Sequence, residues 1–191
     1  MARDDGKTGG KTGGKTGRSI RVNRAPVLTL WAAVVAERLG LDRDEALTFG
    51  RALAGVTAYA KGVRLGIIEP SPERLAGERD RLKQGEEVTL RLMGRLIPAL
   101  RTPEGLRAVA RGRPIAPGSV MRYLEGKFGE RLAEVQAAME ALASSMPPEM
   151  LARRAFSLYE EFRPAVKPGA EGWGTEGELD PQRIAALAAQ E

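Results

Sequence analysis

Residues 102–127 read TPEGLRAVARGRPIAPGSVMRYLEGK, and the reading of this stretch sets the fold class. Thr102-Pro103 puts a capping side chain ahead of a proline. That pattern opens helices, because proline lacks an N–H that the first turn would leave unbonded anyway. A helix over 103–111 is expected, then a turn at Gly112 and a second helix over 118–127. Ser71-Pro72, Pro147-Pro148 and Asp180-Pro181 repeat the same chemistry. They predict a polar surface helix over 71–85 and packed helices over 148–162 and 181–190. Between them, Leu132, Val135, Met139 and Leu142 mark one face of a helix over 130–146.

Towards the N-terminus, 25–39 is apolar nearly all round, from Val27 and Leu28 through Trp31 to Val35. A helix of that kind belongs in a core. Asp42-Arg43-Asp44-Glu45 is a capping-box pattern and starts the next helix, which should end at Gly62. Ala46, Gly50, Ala54 and Ala58 recur every four residues, a small-residue stripe suited to a tight hairpin with the first helix. Short strands at 66–68 and 88–92 complete the list. The expected fold is mainly α. It is a multi-helix bundle with a small two-stranded β-ribbon, one domain over 23–191 and a disordered basic tail over 1–22.

Composition narrows the chemistry. The chain has 191 residues and neither Cys nor His. Thiol catalysis, disulfides and histidine-based triads cannot be assembled from it. Glu160 and Glu161 are neighbours on one helix and point apart, which does not suit paired acid–base work. The sequence therefore predicts no enzyme and no cofactor. No apolar run reaches membrane-spanning length, and the N-terminus is not a secretory signal, so a cytoplasmic protein is expected.

Charge is the most informative feature. The net charge is +5, and residues 1–24 alone carry that amount. Residues 101–127 net +4, whereas 128–191 net −5. Either the basic stretches meet a polyanion, or the acidic third neutralises them within the fold. The tail holds three Gly-Lys-Thr copies around Lys7, Lys11 and Lys15, followed by Arg18. Gly9 to Thr16 fits phosphate-loop spacing, but no apolar strand precedes it and no helix follows. Two readings fit it better and equally: a flexible polycation contacting phosphates loosely, or an idle solubilising tail.

The segment 115–127, Ile-Ala-Pro-Gly-Ser-Val-Met-Arg-Tyr-Leu-Glu-Gly-Lys, resembles the recognition helix of LacI-type helix-turn-helix repressors. It has the apolar turn residue, the proline-led entry, the Ser-Val pair, the Arg and the Gly-Lys finish. The resemblance implies DNA binding. Ser119 and Arg122 would contact bases or phosphates, and Arg111, Arg113 and Lys127 would lie near phosphates. It implies a first helix over 106–111. From Asn23-Arg24-Ala25-Pro26-Val27 onward the chain is similar in general to bacterial proteins without an assigned activity, a likeness that implies no chemistry. Two functions follow as expectations. One is binding of DNA or another polyanion through a helical corner and the basic tail. The alternative is a non-catalytic scaffold that self-associates, as a homo-oligomer, or binds a protein partner.

Overall fold

The computed structural model describes residues 19–66, 68–69, 87–169 and 174–190. Helix α1 (Arg24–Arg38) is the axis of the molecule, with every residue from Pro26 to Ala36 buried. Helix α2 (Arg43–Arg64) returns along it. Its start is the expected capping box: the Asp42 carboxylate accepts from the Glu45 N–H at 2.9 Å, and the Asp42 N–H donates to the Glu45 carboxylate. Gly50 makes the close approach possible. A Cβ there would clash with the Thr29 carbonyl oxygen and stand 2.9 Å from the Ala33 nitrogen. The small-residue stripe is thus used inside the hairpin, at Gly50.

Helices α3 (Pro117–Phe128), α4 (Leu132–Ser144), α5 (Pro148–Phe162) and α6 (Pro181–Ala188) lie close to their expected bounds. Helices α3, α4 and α5 all pack on α1, and α6 packs on α4. Trp31 is fully buried, and its indole N–H donates to the Ala155 carbonyl of α5 at 2.7 Å. The Phe162 ring meets it edge-on at 5.4 Å. The strongly apolar helix thus needs one polar anchor for its one polar aromatic.

The β content overturns the mainly α expectation, and the fold is mixed α/β with two antiparallel sheets. The first sheet pairs β1 (Ile20–Val22) with β6 (Gly177–Leu179), tying together the two ends of the described chain. The tail assigned to 1–22 therefore stops short of Ile20. The second sheet is a four-stranded meander of β2 (Glu87–Leu92), β3 (Arg95–Thr102), β4 (Gly105–Ala110) and β5 (Arg113–Pro114). The expected ribbon partner at 66–68 is not a strand: Gly66 is in a turn, Ile68 is in a bend, and Ile67 lies outside the described residues. The polar helix expected over 71–85 also lies outside them.

The helix expected over 103–111 is strand β4 instead. Pro103 and Glu104 form a hairpin turn, with Thr102 paired to Gly105 and Gly105 at φ 117°. Proline's fixed φ serves the second residue of a turn as well as the first turn of a helix. Met93-Gly94 and Arg111-Gly112 make the other two turns, and all four residues have positive φ. That is the conformation two-residue hairpins require, and an X-Gly pair supplies half of it without strain.

Tertiary contacts hold β4 in place. Its second edge changes partner midway. Ala110 pairs with Arg113, the Ala108 carbonyl accepts from Ile115, and the Ala108 N–H donates to Thr48 Oγ1 at 3.0 Å. The Leu106 N–H donates to Glu45 Oε1 at 2.8 Å. Two side chains from the first turns of α2 thus continue the strand edge. Glu45 closes the helix cap with one oxygen and the sheet edge with the other.

Candidate functional site

The meander forks. The β3–β4 ladder runs only from Ala99–Ala108 to Thr102–Gly105. Beyond it, β3 pairs with β2 alone and β4 with β5 alone, so two hairpin arms leave the same end of one shared base. Arg91 and Arg95 flank the first tip, Met93-Gly94. Arg111 sits in the second tip, with Arg113 directly after Gly112. All four are exposed. Among the described residues none of the four enters an ion pair. The acids of the sheet, Glu87 and Glu104, lie at the opposite, base end.

The sequence-derived candidates divide as follows. Lys7, Lys11, Lys15 and Arg18 lie outside the described residues. Arg111 and Arg113 share one hairpin arm. Ser119, Arg122 and Lys127 are exposed on α3. Helix α3 itself is present where the repressor-like stretch places it, but the first helix of that corner is β4. On α3, Val120, Leu124 and Phe128 face the core. Ser119 and Arg122 share the outer face with Glu125, and the Ser119 hydroxyl is engaged locally, donating to the Ala116 carbonyl at 2.7 Å. Lys127 lies about 140° round the helix from Arg122, so the two do not converge. Arg107 does not join any outward basic face. It is buried, donates to the Glu104 and Leu106 carbonyls, and lies 4.0 Å from Asp44. Its charge is spent on closing the β3–β4 turn.

A third arginine joins Arg91 and Arg95 from another element. A cleft of about 560 Å³ opens between the first hairpin tip, the end of α1 and the outer face of α5. Arg91, Arg95 and Arg153 stand around it, while Leu39, Met93 and Phe156 give it apolar walls. No acidic side chain is among its described lining residues. Phe156 is half-buried and belongs to an aromatic chain running through Tyr159 and Phe162 to Trp31.

Sequence reasoning missed Arg91, Arg95 and Arg153. For the first two a signal was present: Gly94-Arg95 and Gly112-Arg113 repeat a turn glycine followed by Arg, and Leu90-Arg91-Leu92 alternates towards the first turn. For Arg153 there was none, since only the packing of α5 brings it to the hairpin.

Away from the cleft, three titratable groups are shifted mainly by burial. Burial raises the pKa of Tyr159, whose hydroxyl donates to the Arg24 carbonyl at 3.3 Å. Tyr123 is raised by the same cause, partly offset by Arg51, whose guanidinium lies 4.4 Å from the ring centre. Burial also raises Glu37, at the α1–α2 seam. Among the described residues no helix is long and apolar enough to cross a membrane. Comparison with protein families, with curated proteins and with solved structures finds no match.

Proposed function

We propose that this is a cytoplasmic nucleic-acid-binding protein that contacts phosphates through its two arginine-bearing hairpin arms, with the basic tail adding a second, diffuse set of contacts. One observation carries the reading: Arg91, Arg95, Arg111 and Arg113 are exposed, without ion-pair partners among the described residues, and set at one end of a forked sheet. Four guanidiniums left in water, with the acids of the sheet at the other end, make a field that a polyanion can neutralise. Arginine also matches phosphate with a two-pronged donor set. Two-stranded ribbons are narrow enough to enter a groove, and phosphate contacts fix register without demanding a sequence. Helix α3 follows β5 within three residues and lends Arg122 as an outlying contact.

The test is fluorescence anisotropy on labelled oligonucleotides across a salt series. Each phosphate neutralised contributes about 0.9 to the slope of log K against log salt on duplex DNA. Arg111→Gln with Arg113→Gln is expected to lower that slope by roughly 2 and to weaken binding alike on all sequences. Absence of binding at low salt ends the proposal. A salt-sensitive dimer with no oligonucleotide affinity, seen by sedimentation, would support the scaffold reading instead.

A further inference from the structure

We infer that the cleft between the first hairpin tip and α5 takes a single unstacked base of a nucleic acid strand, so that the protein prefers single-stranded over duplex substrate. This inference rests on the nucleic-acid reading above and assigns a substrate class to one of its two arms. The cleft combines two chemistries. Leu39, Met93 and the half-buried Phe156 offer apolar and aromatic walls, and Arg91, Arg95 and Arg153 surround them with no acid among the described lining residues. An apolar planar group carrying anionic linkages on both sides matches that pattern, and a nucleotide within a strand is such a group.

Stacking on an aromatic side chain accepts any base, because every base has a π-face, while arginines track the flanking phosphates. In a duplex the bases are paired and stacked, and their faces do not reach such a wall. The volume of about 560 Å³ lies in the range of small-ligand pockets and has room for a single base. Arg91 and Arg95 belong to both the arm and the cleft, so a strand following the arm passes over the opening.

The experiment compares a labelled dT12 strand with a 12-base-pair duplex, at one salt concentration, on the full chain. Wild type is expected to bind dT12 more tightly. Phe156→Leu keeps an apolar side chain and removes the aromatic face; it should weaken dT12 binding about fivefold or more and leave the duplex unchanged. Arg153→Gln should weaken dT12 binding with no effect on folding, which guards against a loss of structure in the Phe156 variant. Equal loss on both substrates, or none on either, overturns the cleft as a base site and leaves the arms as the interface. Failure of wild type to bind either substrate overturns the parent reading as well.

Discussion

Gly50 carries no side chain because none fits. Its position on α2 faces the Thr29 carbonyl and the Ala33 nitrogen of α1, backbone atoms that cannot step aside as a flexible side chain would. Gly50→Ala is expected to destabilise the fold by about 2–3 kcal/mol, the scale of overpacking in a close-packed core. Gly55, five residues further along the same helix, has open space where a Cβ would go. Gly55→Ala should stabilise by about 0.5–1 kcal/mol, through helix propensity alone. Urea denaturation midpoints check both, and equal effects at the two glycines would contradict the packing. Arg111 poses the opposite problem. It is a bulky residue at φ 53°, where L side chains are strained. Arg111→Gly creates a Gly-Gly turn of the type hairpins favour and should gain about 1 kcal/mol. On the proposed function the same change removes a phosphate contact. A higher thermal midpoint with weaker oligonucleotide binding is therefore expected; a lower midpoint would show that the arginine stabilises its turn.

The helical elements were legible in the sequence, and the strands mostly were not. The α2 cap was visible in four residues because Asp42 and Glu45 satisfy each other over one turn, a purely local transaction. The start of α5 was equally local. Strand β4 is different. Gly-Leu-Arg-Ala-Val-Ala has good helix formers, a Thr-Pro lead and no long-range information; its state is decided by partners sixty residues away. This is tertiary context overriding propensity. Thr48 is the clearest of those partners, a buried hydroxyl accepting the Ala108 N–H. Thr48→Val keeps the shape, removes the acceptor and leaves a buried donor unpaired. The expected cost is about 1–3 kcal/mol. Hydrogen exchange gives the specific readout: the Ala108 amide should lose protection more than the amides of β2, and uniform loss across the sheet would contradict a local role.

At the scale of the molecule, charge is arranged in two tiers. Residues 1–24 carry the whole net charge of +5, so the rest of the chain is neutral overall yet locally polarised, with arginines on the arms that enter no ion pair among the described residues. The candidate site was half legible for this reason. Charge runs can be counted along a sequence, which picked out Arg111 and Arg113, but Arg91, Arg95 and Arg153 gather only through a hairpin and a helix packing together. A neutral body gives little long-range attraction for a polyanion, so on the proposed function the two tiers divide the work, the tail setting the encounter and the arms the register. Replacing Lys7, Lys11 and Lys15 by Gln, with chain length kept, separates them. Overall affinity at low salt should fall and the salt slope should drop by up to about 3 on duplex DNA. The preference for single strand over duplex should persist, since the first hairpin tip, the end of α1 and α5 supply the aromatic and arginine side chains on which that preference is argued. Association rates measured by stopped flow should slow more than dissociation rates quicken, because distant charges steer approach. If the three substitutions abolish the single-strand preference while the salt slope stays fixed, the division of labour between tail and arms is refuted.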